Sequence, residues 1–269
     1  MGILNMDVFH FGNYLISEVQ MYYCCGITDN GIMDHNEDAY LIGKQVLTSG
    51  SLNTMVKAPF FAAVSDGVSN EKCGELASSK CLEFLRDIQV NSKTDFSKEV
   101  MKVHERLKEF SSKDKTTENM QATLCAVAID ENDVIHTINV GDSRLYRYRR
   151  GNIKQLSRDQ SLVQLLYEEG SITAAEKKSH VHRNIIFPVM GNMKSKPKPD
   201  IKNHKEIMKY GDVILICSDG LSDYVSCSDM EQILERPTNL TNRLQRLVKL
   251  AIDKGSKDNI TIVALCCYE

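Results

Sequence analysis

The chain has 269 residues, of which 42% are hydrophobic and 26% charged, and its formal net charge is -3. This composition supplies enough apolar material for a sizeable core, so we expect one domain that covers residues 1–269. The mixed charge excludes the concentrated basic surface of a general nucleic-acid binder, and the basic cluster of Arg147, Arg149 and Arg150 is expected to be solvated.

In chain order, short apolar runs bounded by turn residues predict β-strands. They occupy residues 21–27, 60–64, 123–129, 134–140, 145–148, 213–217 and 260–266. Helical spacing of apolar residues appears in 77–88 and 100–110, between the early and middle strands, and again in 244–252, before the last strand. Strands that follow one another with an early and a late group of helices predict an α+β fold: an antiparallel sandwich with helices on both faces.

Two further helices are predicted from the spacing of polar residues at their starts. Thr173 with Glu176, and Ser228 with Glu231, have the spacing of a capping box, in which each side chain bonds the backbone of the other residue. Each pair is therefore expected to open a short helix.

Aspartates stand at the ends of several predicted strands. Asp66 and Asp219 each follow a buried run within the same Ser-Asp-Gly sequence, and Asp142 follows the run that ends at residue 140. Asp258 precedes the final strand instead. Because the start of one antiparallel strand lies beside the end of its neighbour, these four aspartates are expected to meet at one rim.

Glu37 and Asp38 add two more acids just before an early apolar segment. Crowded carboxylates repel one another, whereas Mg²⁺ and Mn²⁺ prefer oxygen ligands, so a pair of such ions would resolve the conflict. Gly67, after Asp66, would let the backbone turn sharply and bring its carbonyl towards an ion. A single Asp-Gly is more often only a turn; several in this order favour the metal site.

The ordered motifs resemble those of the type 2C, Mg²⁺/Mn²⁺-dependent serine/threonine protein phosphatases, and the bacterial branch most closely. They are residues 26–31 (GITDNG) with 36–39 (NEDA), 64–67 (VSDG) with 74–78 (GELAS), 140–144 (VGDSR), 217–221 (CSDGL) and 258–261 (DNIT). The resemblance implies a four-layer α-β-β-α sandwich, with two antiparallel sheets flanked by helix pairs and a binuclear metal centre at one end.

The resemblance also implies roles for individual residues in holding two or three Mn²⁺ or Mg²⁺ ions. Asp66 would bridge two ions, the Gly67 carbonyl would bind one of them, and Asp219 and Asp258 would bind the other. Asp142, together with Asp219 and Asp223, matches a third and weaker metal site. Glu37 and Asp38 would hold waters around the ions, so that water rather than a side chain attacks the phosphate.

The implied substrate is a phosphoserine or phosphothreonine of a protein, and the implied partner is a bacterial serine/threonine kinase that the enzyme opposes. Residues 158–190 fall where bacterial relatives carry a mobile flap beside the active site. We expect a monomer with no nucleic-acid or membrane partner. No apolar stretch approaches the ~20 residues of a membrane span, and the nine cysteines lack the spacing of a disulfide framework or zinc site, so a cytoplasmic location is expected.

The sequence departs from the family pattern at the arginine that grips the substrate phosphate, where this chain has Met33. A missing arginine removes a charge-assisted contact and weakens phosphate binding; Arg183 or His35 could substitute for it. Val68 stands where eukaryotic members have a histidine. The alternative interpretation is a catalytically weak or inactive regulatory relative that binds a phosphorylated partner.

Overall fold

The computed structural model describes residues 20–68, 73–204 and 207–268. Its twelve strands form two six-stranded sheets in which every neighbouring pair is antiparallel. In spatial order, the first sheet contains β4 (Gly50–Lys57), β1 (Met21–Asp29), β12 (Ile260–Tyr268), β11 (Val213–Cys217), β8 (Arg144–Arg149) and β9 (Asn152–Gln155). The second contains β10 (Asp200–His204), β7 (Ile135–Val140), β6 (Leu124–Ile129), β5 (Phe60–Asp66), β2 (Asp38–Ile42) and β3 (Gln45–Leu47).

The described residues form seven helices. Helices α1 (Gly74–Arg86) and α2 (Phe96–Ser111) pack on the second sheet, whereas α6 (Cys227–Leu234) and α7 (Leu240–Asp253) pack on the first. The short helices α3 (Leu162–Glu168) and α4 (Ala174–Ser179) lie between β9 and β10 in the chain, and α5 (Asp219–Ser222) follows β11. None of the helices in the described ranges is long and apolar enough to cross a membrane.

Three apolar clusters account for the layers. One lies between the two sheets, and the other two lie between each sheet and its helices. In β5, Phe61 and Ala63 contribute to the cluster beneath α1 and α2, whereas Phe60, Ala62 and Val64 contribute to the cluster between the sheets. Successive side chains of a strand point to opposite faces, so a strand buried on both faces needs a continuous apolar run. The predicted four-layer α-β-β-α sandwich is confirmed.

The capping box at Thr173 and Glu176 is confirmed at the start of α4, but the one predicted at Ser228 is wrong. The N-cap of α6 is Ser226, whose hydroxyl accepts a bond from the Asp229 amide while the Asp229 carboxylate accepts one from the Ser226 amide. Asp229 thus takes the place of the glutamate that usually completes a capping box. With the helix beginning here, Met230, Ile233 and Leu234 are buried.

The expectation that the basic cluster at residues 147–150 is solvated is wrong for Arg149. Its guanidinium forms a two-pronged ion pair with the buried carboxylate of Asp212, with Nε 2.7 Å from Oδ1 and Nη2 2.6 Å from Oδ2. Arg150 is exposed, as expected. The ion pair therefore ties the end of β8 to the residue that precedes β11.

Candidate active site

The acidic residues gather where the ends of strands from both sheets meet. In the second sheet, Asp38 and Asp66 lie directly opposite each other in the register of β2 and β5. In the first sheet, β11 ends opposite Ile262 of β12, so Asp219, just after β11, and Asp258, just before β12, lie at the same end. The structure therefore brings together the strand-end aspartates that the antiparallel order predicted.

The carboxylates of the two sheets repel one another electrostatically. Burial raises the pKa of Asp66 well above its usual range, and repulsion from four other aspartates raises it further: Asp38, Asp219, Asp258 and Asp142. The charges of these four carboxylates favour protonation of Asp66, since neighbouring like charges disfavour the ionised form. A divalent cation would remove this repulsion.

Asp38 and Asp142 show the same effect. Burial raises the pKa of Asp38 to about 7, although hydrogen bonds from Thr261 and Ser218 partly oppose the rise. Burial, with the charges of Asp159 and Asp223, raises the pKa of Asp142 to about 7. Such values mark carboxyl groups that need a positive partner in order to stay ionised at neutral pH.

The donor set fits a hard divalent cation. Burial and the neighbouring acids raise the pKa of Asp219 well above its usual range, and its buried Oδ1 has no hydrogen-bond partner among the described residues. A buried oxygen without a partner is costly unless a ligand satisfies it. In the part of the chain that the structure describes, no three acidic, histidine or cysteine side chains already form a closed cluster around one point. The fit to a hard cation therefore rests on the chemistry of the donors, which are all oxygens, and on the unpartnered Oδ1 of Asp219.

Gly67 lies where no side chain would fit. A Cβ on this residue would be 2.3 Å from the carbonyl oxygen of Gly74, and a Cβ on Gly74 would be 2.8 Å from Cδ of Glu37. The Gly67 amide donates to the Glu37 carbonyl at 3.1 Å. The two glycines thus let the start of α1, the end of β5 and the Glu37 carboxylate approach one another closely.

Arg144 links several parts of the acidic site. Its Nε donates to Oδ1 of Asp159 at 3.0 Å, its Nη2 donates to Oδ2 at 2.8 Å, and its Nη1 donates to the Ser222 carbonyl at 2.9 Å. Nη2 also lies 3.4 Å from Oδ1 of Asp223. The guanidinium therefore connects β8 to the end of α5, beside Asp219.

Two residues of the site were not singled out from the sequence. Asp159 is buried; although burial alone would raise its pKa, Arg144 and Lys177 lower it below its usual value. Asn259 donates to the carbonyls of Asn30 and His35 and accepts a bond from the Glu37 amide at 2.8 Å, so it fixes the loop that carries Glu37. A signal for Asn259 was available in the Asp-Asn dipeptide before β12, whereas nothing local marked Asp159.

A pocket of about 620 Å³ lies between the aspartates and residues 158–190. Its lining includes the acids Asp142, Asp219 and Asp223 and the basic residues Lys178 and Arg183. Of the two substitutes considered for the missing arginine, only Arg183 lines this pocket. The other, His35, instead has its Nε2 atom 3.4 Å from Oε1 of Glu37. Met33 itself is 39% exposed.

Comparisons with known proteins agree with this geometry. Residues 35–254 match the family described as Protein phosphatase 2C. The chain is 27% identical over 246 residues to the serine/threonine phosphatase stp of Listeria welshimeri, with 88% of this chain and 92% of that protein covered.

Solved structures show the same fold. The serine/threonine phosphatase of S. agalactiae superposes with a TM-score of 0.78 at 26% identity, over 91% of this chain and 99% of that one. The catalytic domain of the phosphatase PstP, solved with two manganese ions, superposes with a TM-score of 0.75 at 25% identity, over 93% of this chain and all of that one.

Proposed function

Because the chain belongs to the protein phosphatase 2C family, we propose that it is a metal-dependent phosphatase that hydrolyses phosphoserine and phosphothreonine in proteins. The observation that carries this proposal is the meeting of aspartates from both sheets, each made harder to ionise by the others. A phosphatase of this kind explains why the fold tolerates such repulsion, since functional sites are where strongly perturbed carboxyl groups gather.

The residues proposed to hold the ions are those that the resemblance implied. Asp66 would help to hold two ions, the Gly67 carbonyl would bind one of them, and Asp219 and Asp258 would bind the other. A third ion would involve Asp142 together with Asp219 and Asp223. We propose two or three Mn²⁺ or Mg²⁺, supported by the oxygen-only donor set. When bound, the ions would activate a water for attack on phosphorus and neutralise the phosphoryl oxygens.

The protein's own residues hold these ligands in place. Ser218 donates to Oδ2 of Asp38, and Asn259 accepts from the Glu37 amide, so the two acids proposed to hold waters are both anchored. Cys217 is the cysteine nearest to Asp219 in sequence, but burial raises the pKa of its thiol to about 12. A thiolate nucleophile is therefore disfavoured, in agreement with attack by water.

The substrates we propose are phosphorylated proteins, including a serine/threonine kinase that the enzyme opposes, and the protein would act as a monomer without nucleic-acid or membrane partners. Its nine free thiols, six of them buried, support a cytoplasmic setting. Residues 158–190, with α3 and α4, are proposed as a flap that controls access to the pocket. The regulatory alternative is disfavoured, because a binding protein would have no need of the full acidic set.

The test is phosphate release from three peptides of one sequence that carry phosphoserine, phosphothreonine or phosphotyrosine, each with Mn²⁺, Mg²⁺ or EDTA. We expect metal-dependent release from the first two and little from the third. If folded protein releases phosphate from none of them in either metal, while still binding the phosphopeptides, the regulatory alternative holds.

A further inference from the structure

The pocket beside the aspartates is lined by side chains of both charges. The acids in its lining, Asp142, Asp219 and Asp223, would repel a phosphate dianion unless cations offset them. Five basic side chains line the same pocket: Arg144, Arg158, Lys177, Lys178 and Arg183. Those without a carboxylate partner are available to a ligand.

Three of the five already have carboxylate partners. Arg144 and Lys177 both contact Asp159, and Arg158 pairs with Glu168. Among the residues that the structure describes, no carboxylate lies within ion-pair distance of Lys178 or Arg183, both of which are exposed. The available positive charge of the pocket is therefore concentrated on these two side chains.

The segment that carries these two residues is anchored on both sides. Before Lys178, the Lys177 ammonium lies 3.1 Å from Oδ2 of Asp159, which connects α4 to the Arg144 network. After Arg183, the Leu162 amide donates to the Ile185 carbonyl at 2.9 Å. The segment that carries the two cations is thus joined to the Arg144 network and to the start of α3.

We propose that Arg183, assisted by Lys178, binds the substrate phosphate from the flap side of the pocket and takes the place of the arginine that Met33 replaces. This inference rests on the proposed function. A guanidinium offers two parallel donors to phosphate oxygens, and Lys178 adds a point charge in the same pocket. The phosphate would then lie between the flap cations and the ions held by the aspartates.

The test compares Arg183→Met, Arg183→Lys and Lys178→Met with the wild type, all loaded with Mn²⁺. The probe is a non-hydrolysable phosphonate analogue of a phosphothreonine peptide, and its affinity is measured by calorimetry. Kinetics on the corresponding phosphopeptide supply KM and kcat separately. Arg236→Met is the matched control, since this exposed arginine lines a surface hollow between α6 and α7, away from the aspartates.

We expect Arg183→Met to weaken analogue binding and raise KM by roughly 10- to 100-fold, because a hydrogen bond between charged groups contributes about 1.5–3 kcal/mol. Arg183→Lys should recover part of the loss, and Arg236→Met should match the wild type. Unchanged analogue affinity and KM in both Arg183→Met and Lys178→Met would overturn the proposal. A fall in kcat alone would overturn it as well. Loss of turnover in the wild type would refute the proposed function instead, while the calorimetry would still decide the phosphate contact.

Discussion

Ser218 donates its hydroxyl hydrogen to Oδ2 of Asp38 at 2.7 Å, although 180 residues separate them in the sequence. Ser218 follows β11 of the first sheet, and Asp38 begins β2 of the second. The same hydroxyl accepts a bond from the Thr261 amide at 3.0 Å. This buried contact joins the two sheets at the rim where the aspartates meet, and it sets the position of one acid relative to the others.

Replacing Ser218 with alanine should disturb both the fold and the metal site. The change leaves the buried Thr261 amide without its partner and removes a donor to Asp38, so the free energy of unfolding should fall by about 1–3 kcal/mol. Affinity for Mn²⁺ should fall as well, which calorimetry can measure. Ser228→Ala is the control: this serine is exposed and is not the cap of α6, so stability should change by less than about 0.5 kcal/mol. Equal stability of the two variants would contradict the account.

The Arg149–Asp212 ion pair predicts a pH-dependent contribution to stability. Burial alone would raise the pKa of Asp212, but hydrogen bonds from Arg149 and the Lys209 amide outweigh it and lower the pKa below its usual value. The folded protein then binds fewer protons at this site than the unfolded chain. The stabilisation is therefore complete above the unfolded pKa of about 3.9 and is lost as the pH falls through the folded value.

Asp212→Asn should accordingly lower the free energy of unfolding by about 2–3 kcal/mol at pH 7, slightly below the range for fully buried pairs because Arg149 is 23% exposed. The difference from the wild type should shrink below about pH 4. Urea unfolding at pH 7, 5 and 3.5 measures it. Asp253→Asn, which breaks an exposed pair with Lys249, should cost less than about 1 kcal/mol at every pH. A deficit for Asp212→Asn that stays constant down to pH 3.5 would refute the assignment.

Met33 offers a test of substrate affinity. Its partial exposure leaves room for a longer side chain, so Met33→Arg should restore the phosphate-binding arginine of the family pattern without loss of stability. We expect KM for a phosphothreonine peptide to fall by roughly 10-fold, the effect of one charge-assisted hydrogen bond. Ile32→Arg adds the same charge at an exposed neighbouring position and should leave KM nearly unchanged. A KM in Met33→Arg no lower than in Ile32→Arg would contradict the prediction.

The sequence predicted the layers because strands buried on both faces must be continuously apolar. Two of the strands that it did not predict are edge strands of mixed polarity: β4 alternates exposed and half-buried residues, and β10 contains Lys202 and Asn203. Their place in the sheets is set by backbone pairing with β1 and β7 rather than by an apolar pattern. Edge strands with one solvated face carry few sequence marks that separate them from loops.

The acids of the site were predictable because antiparallel pairing brings strand starts beside strand ends. Asp159 was not, since its partners Arg144 and Lys177 are 15 and 18 residues away in the sequence and meet it only through the return of the chain after β9. Ser218 lay within a predicted motif, but its contact with Asp38 depends on how the two sheets stack. Long-range contacts of this kind leave no periodic pattern in the sequence.

The central claim is that the aspartates form the metal site that drives hydrolysis. The most direct test measures phosphate release from a phosphothreonine peptide while Mn²⁺ is titrated into the wild type and into Asp219→Ala. Removing one of several repelling acids should leave the metal-free variant folded. The account predicts saturable Mn²⁺-dependent release by the wild type, loss of release in EDTA, and a decrease on the order of 100-fold or more in the variant. Equal release with and without Mn²⁺, or full activity of Asp219→Ala, would contradict it.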